Sequence, residues 1–218
     1  VYKRQAVLWD RLRAPHADHR PPNTFIHPTM SLVDESGLAD DLLADLTPSI
    51  SIDEARRGLL RIAATSMLQD EPASAPYGWS HCLTMPQAAL AIAERASRPQ
   101  LAVDVASTYV LGFRAMLSSS AIDPDRAPER PSGHQSGDVL RADPSAAAAM
   151  AWHADPAQRG RIKQQLIDHA APHPDAHLAK YTLACLDASR ADPEAAALFG
   201  AAAAYLGAWW HQQGPPTE

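Results

Sequence analysis

Residues 173–187 read His-Pro-Asp-Ala-His-Leu-Ala-Lys-Tyr-Thr-Leu-Ala-Cys-Leu-Asp and gather more groups able to do chemistry than any other stretch of this 218-residue chain. Pro174 suits the first turn of a helix, where a missing N–H costs nothing, and no Gly or Pro interrupts the pattern before Asp192-Pro193. With about 3.6 residues per turn, such a helix sets His177 and Lys180 on one face, Tyr181 one turn beyond His177 and His173 one turn before it. Two readings compete. In one, His173, His177, Lys180 and Asp187 are the solvated face of an amphipathic helix. In the other, the stripe faces an internal metal or substrate pocket, with His177, Lys180 and Tyr181 as the catalytic candidates.

Histidine is what the rest of the chain adds to that stripe. The sequence has ten, and His27, His81, His169, His173 and His177 stand near apolar residues or helix ends instead of in charged tracts. A site made mainly of imidazoles favours a transition metal such as iron, zinc, copper or nickel over magnesium or calcium. His27 lies between Phe25-Ile26 and Pro28 in a segment with His16, His19, Pro21 and Pro22 that reads as an irregular arm, and it is either a structural histidine or a ligand. His81 precedes Thr84, read as an N-cap with Pro86 in the first turn. The helix dipole there disfavours an imidazolium and leaves a neutral ring nitrogen able to bind metal. The alternative is a buried histidine bonded to a backbone carbonyl. The chain has no GxGxxG, Walker loop, Gly-x-Ser-x-Gly or HExxH, so nucleotide-fold and common hydrolase chemistries lose their best supports.

The elements that must position these groups are helical. Val7, Leu8, Trp9 and Leu12 suggest a helix over 6–13 stopped by Pro15, and Leu38, Leu42, Leu43 and Leu46 a short one over 37–46. Ser51-Ile52-Asp53-Glu54 reads as a capping box opening a helix to about Leu68, and Pro99 opens one whose wide apolar face carries Leu101, Val105, Tyr109, Phe113 and Met116. Gly112 in it either admits a neighbouring helix or is tolerated at a cost of about 1 kcal/mol. Residues 118–137, which include His134, form a long loop: a lid, an insertion or a disordered segment. Asp143-Pro144, Asp155-Pro156 and Asp192-Pro193 each place an N-cap carboxylate before an N1 proline, and His173-Pro174 is a variant. No stretch shows sustained period-two alternation, so the expected fold is all-α, an irregular multi-helix bundle with long connecting loops. Its core is expected on Leu59, Ile62, Leu90, Tyr109, Phe113, Leu183, Leu186 and Leu206.

Bulk properties narrow the partners. The chain is 46% hydrophobic, enough for one sizeable core, and its net charge of -6 with no run of Lys or Arg argues against nucleic acid or an anionic membrane. Two cysteines, Cys82 and Cys185, form neither a CxxC pair nor a disulfide framework and fit buried thiols in a reducing cytosol. No apolar run reaches membrane-spanning length, and a cytoplasmic protein is expected. Val-Tyr-Lys-Arg-Gln at 1–5 looks like non-native read-through. The remaining 6–218 is expected to be a single α-helical domain, the C-terminal part of a longer chain.

His-Leu-Ala-Lys-Tyr-Thr at 177–182, followed by an Ala-rich closing helix that ends in Trp209-Trp210, resembles the C-terminal signature of the questin oxidase-like family. These are oxidative enzymes associated with opening the central ring of anthraquinones. The resemblance implies non-haem iron bound by histidines together with a modified lysine. A lysine desolvated in a pocket can be carbamylated to an anionic oxygen ligand, which reverses the charge an ammonium would present to a metal. His177 and Lys180 match the family's His-x-x-Lys-Tyr motif, His81 in Ser-His-Cys-Leu-Thr matches a His-x-x-Thr helix start, and His27 corresponds to a His-Pro in an apolar context. The implied metal set is thus His27, His81, His177 and Lys180. The resemblance runs from about His81 to Trp210. The family's further His-containing helix toward the N-terminus has no match here, nor does the family match the segment from the 120s to Gly137.

The function expected on that footing is a metal-dependent oxygenase acting with molecular oxygen on an aromatic polyketide or quinone-like small molecule. An NADPH-dependent Baeyer–Villiger-type monooxygenase is the first alternative, though the dinucleotide fingerprint is absent. A non-catalytic helical interaction domain is the second, and it predicts histidines scattered outward.

Overall fold

In the computed structural model residues 25–40, 51–70, 77–118, 120–130 and 137–213 are described, and every regular element among them is helical. The fold is all-α. Residues 1–5, the helix expected over 6–13, His16, His19, His134 and the 41–46 portion of the helix expected over 37–46 lie outside the described residues. The chain divides into two compact units, Val1–Pro124 and Asp125–Glu218.

The first unit contains α1 (Ile26–Glu35), α2 (Ile52–Gln69), α3 (Tyr77–Ala93) and α4 (Pro99–Leu117). Helix α1 replaces the end of the expected irregular arm. Its His27-Pro28 pair falls in the first turn, where N–H groups lack intrahelical partners and a proline removes nothing. Helix α2 opens with the expected capping box: the Ser51 hydroxyl accepts from the Glu54 N–H at 3.3 Å, and the Glu54 carboxylate accepts from the Ser51 N–H at 3.1 Å. Helix α3 corrects a boundary. It starts at Tyr77, not near Thr84, so Pro86 lies inside it and forgoes the bond that an N–H there would give the Cys82 carbonyl. The Thr84 hydroxyl turns back to the Ser80 carbonyl at 2.9 Å and caps nothing.

Helices α2, α3 and α4 pack together around Leu59, Ile62, Leu83, Leu90 and Phe113, all essentially without exposure. Tyr109 is half-buried. Gly112 settles in favour of close approach, since a Cβ there would stand 2.8 Å from a Val33 methyl of α1. Val33, Leu38, Leu111 and Met116 make the resulting cluster.

The largest fully buried side chain of this unit is charged. Arg114 is 1% exposed and donates to Asp70 at 2.9 Å, to the Ser66 hydroxyl at 2.7 Å and to the Ser120 carbonyl at 2.7 Å. Ser118 donates to the same Asp70 oxygen at 2.8 Å, and the guanidinium carbon lies 6.0 Å from the centre of the Trp79 ring. Burial lowers the Arg114 pKa while Asp70 holds it up, and the same burial pushes the Cys82 thiol up to about 12.

The second unit contains α5 (Pro144–Trp152), α6 (Pro156–Ala170), α7 (Ala176–Ala191) and α8 (Ala196–Gln213), with 3-10 turns at Val139–Arg141 and Pro193–Ala195. Asp143 and Asp155 cap α5 and α6 as expected; their carboxylates accept from Ser145 N–H at 2.9 Å and Gln158 N–H at 2.8 Å. Two starts differ. Asp192-Pro193 opens only the second 3-10 turn, with no side-chain cap, and α8 follows at Ala196. Helix α7 starts at Ala176 because Asp175, a better cap than His173, takes the N-cap position and leaves Pro174 outside.

Helix α8 has scarcely any polar face: Phe199, residues 201–204, Leu206, Gly207, Ala208 and Trp210 are all buried, against α5, α6 and α7. The buried side of α7 carries Leu178, Tyr181, Thr182, Cys185 and Ala188, at helical spacing. Leu183 falls opposite and is 57% exposed, which removes it from the expected core, while Leu186 is half-buried. Described parts of the long loop are irregular but tied down, Asp123 to the Gln69 amide at 2.7 and 2.9 Å in the first unit and the Pro128 carbonyl to His153 at 2.8 Å in the second.

Replacing Arg114 by Ala leaves the Asp70 carboxylate buried without its counter-charge. A loss of about 3–5 kcal/mol in unfolding free energy is expected, similar to that for Phe113→Ala. Arg114→Met combined with Asp70→Leu is expected to recover most of it. Denaturant melts check this, and a loss under about 1 kcal/mol for Arg114→Ala would mean that the pair is effectively solvated.

Candidate functional site at the mouth of α7

The turn between α6 and α7 joins two of the singled-out groups, His173 and His177, through Asp175. The backbone N–H of Asp175 donates to His173 Nδ1 at 3.1 Å, so a neutral His173 carries its own proton on Nε2. The Asp175 carboxylate accepts the His177 backbone N–H at 2.8 Å and His177 Nδ1–H at 2.7 Å. One oxygen thereby caps the helix and orients an imidazole. An ionised carboxylate can only accept, which fixes the His177 proton on Nδ1 and the lone pair on Nε2 in the neutral ring. One third of the His177 side chain is exposed, so this carboxylate–imidazole pair is open to a reactant.

A row of imidazoles runs beside it. The His169 ring lies 5.6 Å from that of His173 and 5.4 Å from that of His211, both edge-on. His173 is 6.4 Å from Trp210, which meets Trp209 at 4.8 Å. His169 ends α6, His173 begins the turn and His211 ends α8. Gly207 favours the row: a Cβ there would stand 2.8 Å from a Leu166 methyl of α6, which would have to turn aside. The His169 Nε2 is buried with no hydrogen-bond partner. Burial first, then His211 and His173, push His169 below the ordinary histidine range, with the backbone of Gly207 acting the other way. Neutral imidazoles next to an indole can exchange protons with, and pack against, a flat aromatic molecule.

The other sequence-predicted residues stand apart from this geometry. Lys180 is exposed on α7, without the enclosing pocket that carbamylation calls for. Tyr181 is fully buried on the same side of α7 as Cys185, whose thiol pKa burial raises. His27 is exposed on α1 and pairs with the Ser31 hydroxyl at 3.0 Å; His81 is half-buried on α3. Both belong to the first unit. Because α3 begins at Tyr77, His81 lies within the helix and the dipole argument made for it at a helix start does not apply. Among the described residues no three His, Cys, Asp or Glu side chains are grouped to hold a metal ion.

Asp175 and His211 were not legible as site residues. A cap two residues before His177 is a local signal that could have exposed the first; the second depends on how α8 is packed. Among the described residues no helix is long and apolar enough to cross a membrane. Comparison with family models, curated proteins and solved structures finds no match.

Gly207→Ala is expected to force Leu166 aside, to cost about 1–3 kcal/mol as overpacking does, and to separate His169 from His211. Histidine NMR checks it: the ring signals of His169 and His211 should both shift while that of His27 stays. Unchanged ring signals would show that the row does not depend on this contact.

Proposed function

We propose that the chain acts as an oxidoreductase of the questin oxidase-like kind on a small aromatic, quinone-like molecule. The observation that supports this best is the gathering of His169, His173, His177 and His211 with Asp175 and Trp210 at one end of the second unit, inside the stretch that carries the resemblance. In this reading the Asp175 carboxylate holds His177 as a proton acceptor through Nε2, and the buried Trp210 ring backs the imidazole of His173. Lys180, one turn along α7, lies on the open side of the helix beside it. Iron remains a proposed cofactor of this reading, and no step is assigned to it.

A second reading, a non-catalytic helical interaction domain, is favoured by one observation: Leu183 stands exposed three residues from Lys180 on that open side. Oxygen uptake with a hydroxylated anthraquinone as probe separates the readings, run with added iron(II), with NADPH, and with neither. Uptake that needs iron and falls about a hundredfold or more in His177→Ala is expected. Uptake driven by NADPH in metal-free protein would favour the Baeyer–Villiger kind. No uptake under any of the three conditions overturns the oxidoreductase reading and leaves the interaction domain.

A further inference from the structure

The row His173, His169, His211 has a property that catalysis at His177 does not use. The Nε2 of its middle member is buried without a partner, in a ring that stands between two further imidazoles. We propose that the row is an acid-sensitive latch: while neutral it lets the C-terminal turn of α6 lie against α8, and a proton entering at His169 releases that turn.

The geometry dictates the direction. A protonated His169 carries an N–H on both ring nitrogens, Nε2 included. The Nε2–H is then buried without an acceptor, and the ring becomes a cation beside two groups that can become cations themselves. Moving α6 away from α8 hydrates it. The contact that would yield is the tight one, Leu166 over Gly207, one turn before His169.

The charged groups around this turn do not cancel the effect. On α6, Asp168 is engaged by Gln164 at 2.7 Å. The neighbouring elements contribute His211 from α8, His173, Asp175 and His177 at the mouth of α7, the Arg141–Asp138 pair of the first 3-10 turn at 3.3 Å, and Asp143 and His153 at the ends of α5. Those that act on His169 are His211 and His173, both of the same sign. The folded pKa of His169 is depressed, so the released form takes the proton first. The stabilisation is complete above the ordinary histidine value of about 6.5 and is lost as pH falls below it toward the folded value.

Amide exchange and histidine NMR on the full chain between pH 7.5 and 5.5 test the latch, in the wild type, His169→Gln and His211→Gln. In the wild type the opening constant of amides in the last turn of α6, corrected for intrinsic exchange, should rise toward about tenfold per pH unit below 6.5, the limit for one linked proton. Amides of α2 and α4 should not follow. His169→Gln, which cannot titrate, should be flat. His211→Gln, at an exposed position, should fold regardless and should raise the pH at which His169 titrates. The proposal is overturned by an equal slope in His169→Gln, by a rise shared across both units, or by His169 titrating at or above 6.5 in the wild type. The last outcome would mean that the Gln165 carbonyl, one turn earlier and likewise buried without a partner, accepts the Nε2–H.

Discussion

Helix α8 has no face it can show to water, and the second unit is arranged around that constraint. Alanines at 201–204 and 208 with Gly207 present a thin cylinder, so three helices can approach it closely. A helix apolar all round is stable in a small unit only if its neighbours enclose it. Close enclosure has a geometric by-product. The helix ends come together where the cylinder stops, and there the chain places His169, His173, His211 and Trp210. The polar cluster is thus a consequence of how small side chains pack, and Gly207 is the point at which the two are joined.

The first unit solves the opposite problem. Its core includes a full positive charge, which burial destabilises unless a counter-charge and hydrogen-bond acceptors replace the lost water. Arg114 meets that requirement with one carboxylate, one hydroxyl and one carbonyl, and with a ring face beside it. The partners come from the end of α2 and from the chain just past α4, so a single side chain fixes where two helices end. Asp70 and Ser118, the C-cap residues of those helices, are both buried for this reason.

Much of the fold was legible because its signals are local. The capping box at Ser51, the Asp-Pro starts at 143 and 155, and the apolar faces built on Leu59, Ile62 and Phe113 depend on neighbours within one or two turns. What failed depended on choices between local signals or on distant packing. Pro86 reads as a helix start and Pro28 as part of a loop, yet the first sits mid-helix and the second in a first turn, and only the surrounding helix decides which. Arg114 was invisible because a charged residue in the last turn of a helix is ordinarily read as solvated. Its partner Asp70 lies 44 residues away.

The candidate site was half legible for the same reason. His173 and His177 could be placed together from spacing alone, but spacing could not divide the stripe they share with Lys180 and Tyr181. That division comes from α7 having one neighbour-facing side, on which Tyr181 lies with Leu178 and Cys185, and one open side, on which Lys180 lies with Leu183. His177 falls at the boundary, half-buried and turned by Asp175. A reactive group needs both conditions at once: contact with the interior to hold its orientation and contact with the outside to meet a reactant. Of His177, Lys180 and Tyr181 on α7, His177 is the one that satisfies both, and the carboxylate that makes it so is the one that starts the helix.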